Sequence, residues 1–269
     1  MPLAAARTGG MMRYRSSLKP RHPDKGRMRL ARIVVICLIA IGILALAITN
    51  AARLNLLGHA PVRIFPSARG KPTAVTAVFL SGDMGFDFGL SGRVAMGLAA
   101  HGIPVIGIVS PVVFANHLTQ KQATAVVEQA IWRALGGRRD GRVVLVGESF
   151  GADILATVAP RLPPALLERV DTILLTVPSP DVYFRADPSG LAYMGEADAH
   201  PLAALGRLNG PPIVCIYGVE EPDSLCPKLG PAAARVIALP GGHYLNHDPA
   251  RLIATTFDSL QKIVAGPHH

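Results

Sequence analysis

From about residue 73 to the C-terminus, short apolar runs alternate with stretches of helical periodicity. Residues 74–80, 105–109, 142–146, 172–176, 213–217 and 235–239 are rich in Val, Ile, Leu and Ala, and each is short enough to be a buried strand. Residues 92–101, 120–135, 150–161 and 249–264 place apolar positions on one helical face or are apolar throughout, and predict helices. Residues 62–65 fit a short edge strand. Strands that alternate with helices predict an α/β fold, a mostly parallel sheet with helices on both faces. Residues 178–210 break the alternation and predict a cap or lid.

The N-terminal pattern is different. Residues 33–49 contain no charged side chain and are almost wholly Ile, Val, Leu and Ala. That length is at the lower limit for one helical crossing of a bilayer. Nine Lys or Arg and a single acid, Asp24, precede it within residues 1–32. Positive flanks stay on the cytoplasmic side, so the expected topology is tail in, domain out, in a bacterial inner membrane. A cleaved signal peptide and a buried core helix are the competing readings. The expected organisation is a basic tail at 1–32, a transmembrane helix at 33–49, a linker at 50–72 and one domain at 73–269.

Charge then loses its first meaning. The formal net charge of +9 suggests nucleic acid, but the tail carries nearly all of it. The remaining chain is almost neutral, so no nucleic-acid partner is expected. Neither a zinc spacing nor a phosphate-loop pattern occurs, and no cofactor is expected. Cys215 and Cys226 lie in the exported part, where a disulfide would form. Two free buried thiols are the alternative, and Cys37 falls inside the apolar run.

The chemistry centres on Gly147-Glu148-Ser149-Phe150-Gly151. A Gly-x-Ser-x-Gly match is weak alone. Here a strand leads straight in and a helix straight out, which is the context of a nucleophile elbow in an α/β-hydrolase fold. A plain strand-to-helix turn whose serine caps the helix is the bland reading. A serine needs a base, and this fold orders serine, acid, histidine. His243 follows a predicted strand and precedes the last helix. His247 reads as a surface or capping residue. The acid is expected on the loop after residue 217, with Asp223 preferred and Glu221 the alternative. Backbone N–H groups of Phe150 and of Asp83 or Met84 would form the oxyanion hole. Asp153, one turn past Ser149, either answers the helix dipole or faces the pocket to pair with a cationic substrate group. Glu148 is open in the same way.

Together these residues resemble the bacterial virulence protein family of VirJ and the C-terminal domain of AcvB. The likeness runs from about residue 74 onward. Leu80-Ser81-Gly82-Asp83, Gly102-Ile103-Pro104-Val105-Ile106-Gly107, Ser149-Phe150-Gly151-Ala152-Asp153 and Arg161-Leu162-Pro163 carry its first part. Cys215-Ile216-Tyr217-Gly218, Glu221, Asp223-Ser224, Cys226 and Pro240-Gly241-Gly242-His243 carry the second. The resemblance implies a periplasmic hydrolase of aminoacyl-phosphatidylglycerol, typically the lysyl form. It also implies a link to type IV secretion components, while a counterpart of the extra N-terminal domain of AcvB is not expected. The sequence departs from the family pattern at Met84-Gly85-Phe86, at Glu148 and at Tyr244-Leu245. All three are expected at the site, so they bear on which substrate it takes.

Overall fold

The structure is a computed structural model that describes residues 25–51, 53–68 and 75–264. Most of the basic tail and the last five residues lie outside this set. The chain forms two compact units, Met1–Leu44 and Ala45–His269. In the first, the described residues belong to helix α1 (Lys25–Thr49), which contains the expected apolar run and starts before it. Its Met28–Thr49 stretch is long and apolar enough to cross a bilayer by length and composition, and none of it is buried.

The second unit is built on seven strands. They are β1 (Val62–Phe65), β2 (Val75–Leu80), β3 (Val105–Ile108), β4 (Arg142–Glu148), β5 (Val170–Thr176), β6 (Ile213–Gly218) and β7 (Arg235–Leu239). Their order across the sheet is β1-β3-β2-β4-β5-β6-β7. All neighbours are parallel except β1, which runs antiparallel to β3. Part of the expected linker therefore belongs to the sheet. Strands β2 and β4 lie at its centre, where both faces are covered, and their apolar runs are continuous rather than alternating. Edge strands β1 and β7 keep exposed positions.

Two long helices cover each face: α2 (Ser91–Ala100) and α8 (Pro249–Val264) on one, α4 (Gln120–Leu135) and α5 (Phe150–Val158) on the other. The two-residue alternation of side chains separates two cores. Val78, Leu80, Leu145, Ile173 and Leu175 pack with Val127 and Ile131 of α4 and Ile154 and Leu155 of α5. Phe79, Val144, Val146, Leu174 and Ile216 pack with Val94 and Leu98 of α2 and Leu252 and Leu260 of α8. Helix α4 begins with a capping box between Thr119 and Gln122 and ends at left-handed Gly136.

The expected elements all form, with three adjustments. Strand β4 runs on to Glu148. Helix α5 gives way to a 3-10 turn at Ala159–Arg161, where Pro160 has no N–H to continue it. Three single-turn helices are additional: α3 (Ser110–Val113), α6 (Pro164–Leu167) and α7 (Leu202–Leu205). The excursion at 178–210 is anchored to the body. Val182, Phe184, Ala186 and Leu205 are buried in the core, and Val182 bridges Ala199.

Candidate active site

The C-terminal ends of β2, β4, β6 and β7 lie along one edge of the sheet, and the site is assembled there. Ser149 sits between β4 and α5 with φ 51° and ψ −123°. That left-handed backbone is strained for a serine, by about 1–3 kcal/mol. The packing makes it necessary. A Cβ on Gly147 would lie 2.6 Å from Gly151 O, and one on Gly151 would lie 2.1 Å from Leu80 O. Only glycine fits at either flank, so the chain turns sharply and lifts Ser149 out of the sheet. Ser149 N–H donates to Thr176 O at 2.8 Å, which holds the turn against β5.

His243 lies against the serine, with Nε2 2.9 Å from Ser149 Oγ. Its Nδ1 is 2.5 Å from Glu221 Oε1. With Nδ1–H donated to the carboxylate, Nε2 keeps its lone pair for the serine proton. The acid beside the histidine is therefore Glu221, and the preference for Asp223 is corrected. Glu221 closes a turn on the end of β6, its N–H donating to Gly218 O at 3.0 Å. Val219 N–H and Glu220 N–H donate to Leu239 O and Gly241 O, which fastens this loop to the one carrying His243. The Glu221 side chain is 14% exposed. Asp223 comes after Pro222 and is exposed, and the next three residues, Ser224–Cys226, are buried. Cys226 is joined to Cys215 on β6. The disulfide expectation holds, and the bridge returns the chain to the strand beyond the acid.

The turn after β2 faces the serine from the other side. A Cβ on Gly82 would be 3.7 Å from Ser149 Cβ, so the turn abuts the elbow. Gly85 N–H closes it on Gly82 O at 3.1 Å. Phe150 N–H opens α5, among the donors that a helix start leaves unpaired. The same turn carries Asp83 and Met84, whose N–H groups are the candidates for the second donor.

A cavity of about 810 Å³ opens over Ser149. Four carboxyls line it: the partly buried Asp83, Glu148 and Asp153, and the exposed Asp181, which pairs with His200 Nδ1 at 2.9 Å. Ser91 Oγ donates to Glu148 and accepts from Gly82 N–H at 3.0 Å. Asp153 accepts from Ser179 N–H at 2.6 Å, and Asp83 from the Tyr193 hydroxyl at 3.3 Å. Burial pushes all three up from ordinary carboxyl values, Asp153 well above. His243 is also raised, first by its hydrogen bond to Glu221 and then by surrounding negative charge, with burial opposing. Among the described residues no Lys or Arg pairs with Asp83, Glu148 or Asp153.

Sequence reasoning missed several lining residues. Ser91 comes from the start of α2, and Tyr183 and Tyr193 come from the 178–210 excursion. Nothing in their spacing marks them. His247 is exposed, as expected, and also lines the cavity, where it stacks on Tyr244 with centroids 5.3 Å apart.

A seven-stranded, mostly parallel sheet with a strand-serine-helix elbow and a facing histidine defines the α/β-hydrolase fold. The chain belongs to the family of the bacterial virulence protein VirJ, whose family model matches residues 74–264. Solved structures agree on the fold. Est1E from Butyrivibrio proteoclasticus matches with TM-score 0.55 and 9% identity, over 76% of this chain and 94% of that one. Proline iminopeptidase from Mycobacterium smegmatis matches with TM-score 0.54 and 15% identity, over 77% and 96%. The thioesterase domain from the curacin biosynthetic pathway matches with TM-score 0.51 and 12% identity, over 73% and 94%. No curated protein sequence matches the chain.

Proposed function

We propose that this protein is a serine hydrolase that cleaves the ester of an aminoacyl-phosphatidylglycerol at the outer face of a bacterial inner membrane. The observation that carries the reading is the Ser149–His243–Glu221 relay beneath a cavity lined by carboxyls, Asp83, Glu148 and Asp153 among them. His243 Nε2 takes the Ser149 proton as Oγ attacks the ester carbonyl. The Phe150 N–H and an N–H of the turn after β2, from Asp83 or Met84, receive the developing oxyanion. The tetrahedral intermediate then expels the glycerol hydroxyl, which takes the proton from His243. Water, deprotonated by the same histidine, cleaves the acyl-enzyme and frees the amino acid.

Several features favour a lipid-borne substrate. Helix α1 would tether the domain to the bilayer, and tethering raises the local concentration of a membrane ester. The Cys215–Cys226 bridge suits an oxidising compartment such as the periplasm. Arg93, an exposed residue of the cavity lining, is available to the lipid phosphate.

Purified full-length protein in detergent micelles with lysyl-phosphatidylglycerol tests this. Release of lysine by wild type and its loss in Ser149→Ala is the expected result. Cleavage of short acyl esters without lysine release would make the protein a general esterase. If Ser149→Ala supports type IV secretion in cells as well as wild type does, a non-catalytic role assisting secretion replaces both.

A further inference from the structure

The carboxyls of the cavity have an electrostatic deficit that the relay does not use. Glu148 and Asp153 are partly buried in the cavity wall, yet neither has a Lys or Arg side chain paired with it. Each spends one oxygen on a neutral donor, Ser91 Oγ or Ser179 N–H. The other oxygen of each has no partner among the described residues, and both side chains line the cavity. Buried anions need a cation, or they take up a proton. The positive group they do feel is His243, which is engaged with Ser149 and Glu221.

Their position says which cation fits. In an α-amino ester the nitrogen is about 2.5 Å from the carbonyl carbon. That carbon must approach Ser149 Oγ to about 3–3.5 Å before attack. The ammonium nitrogen is thus held to within about 6 Å of the serine oxygen. Glu148 immediately precedes Ser149, and Asp153 follows it by one helical turn, on the same helix face. Asp83 stands on the turn that abuts Ser149. A side-chain ammonium such as that of lysine lies four methylenes further from the reacting carbon, whereas the α-ammonium is the atom that every aminoacyl ester shares.

We infer that Glu148 and Asp153 bind the free α-ammonium of the scissile aminoacyl group, so that the site selects esters of unblocked α-amino acids whatever their side chain. The inference rests on the reading of Ser149 as the nucleophile of an ester hydrolase. It makes Glu148 and Asp153 specificity-determining residues, with Asp83 adding charge at the same point.

Full-length protein in micelles, given five soluble benzyl esters, tests it. These are the alanine, lysine, N-acetylalanine, propionate and 6-aminohexanoate esters. Alanine and lysine esters should give kcat/KM values within about tenfold of each other. N-acetylalanine and 6-aminohexanoate esters should be worse by about a hundredfold or more, because buried polar groups are left unpaired. In Asp153→Asn and in Glu148→Gln the alanine-to-propionate ratio should fall about tenfold or more, mainly through KM. A 6-aminohexanoate ester that matches the lysine ester, or an N-acetylalanine ester that matches the alanine ester, overturns the inference. Fluorophosphonate labelling separates the two claims. If Ser149 labels and the esters show no amine preference, the inference fails and the hydrolase reading stands. If Ser149 neither labels nor turns over any ester, the hydrolase reading fails and takes the inference with it.

Discussion

The two halves of the relay are held by different means. Ser149 stands at the centre of the sheet, between the buried strand β4 and helix α5, on a backbone that neighbouring main chain leaves no room to alter. Glu221 and His243 stand on loops that follow β6 and β7, at the thinner end of the sheet. Those loops are held by a few main-chain hydrogen bonds and one disulfide. The position of Ser149 is a product of packing, while those of Glu221 and His243 are products of loop bracing. Damage to the first half should therefore appear as loss of fold or of all turnover. Damage to the second should appear as graded loss.

Loss of the Ser149 hydroxyl, the proposed nucleophile, sets the upper limit. Ser149→Ala should lower kcat by about 10⁵ or more while circular dichroism and melting temperature stay near wild type. Next, Glu221→Gln should cost about 10³–10⁴ in kcat, whereas exposed Asp223→Asn should stay within about twofold. Equal loss in the two variants would return the acid assignment to an open question. Opening the disulfide should act on stability first. Cys215→Ser with Cys226→Ser should remove about 3 kcal/mol, visible in urea unfolding, with a smaller change in turnover measured below the transition. A large turnover loss in a still-folded double variant would show that the bridge mainly aims Glu221.

The pH profile gives the smallest effect and the finest probe. His243 must be neutral to act as base, and its raised pKa means that it stays protonated to higher pH. The acid limb of kcat/KM should thus lie above the ordinary histidine value of about 6.5. Removing negative charge with Glu148→Gln or Asp153→Asn should move that limb to lower pH. A shift to higher pH would contradict the electrostatic account of the cavity.

Much of this was legible beforehand because it depends on local pattern. Strand β4 reads as a central strand from its unbroken apolar run. Gly147 and Gly151 mark the elbow because no other residue fits the close approach to Gly151 O and Leu80 O. His243 was legible from fold order alone. The acid was not. Glu221 and Asp223 are two residues apart on one loop, and either could be drawn beside His243 on paper. The turn from Gly218 to Glu221, and the buried return through Ser224–Cys226, decided between them. Ser91 and Tyr193 were invisible for a related reason, since each reaches the cavity from a distant segment.

By itself, then, the sequence determined the parallel sheet, the elbow serine, the histidine and the apolar N-terminal helix. Each follows from periodicity or from a steric demand contained within a few residues. The tertiary structure alone decided which carboxylate meets His243 and which carboxyls gather around Ser149. Those outcomes depend on where separate loops come together, and on how far burial removes water from the charges they carry.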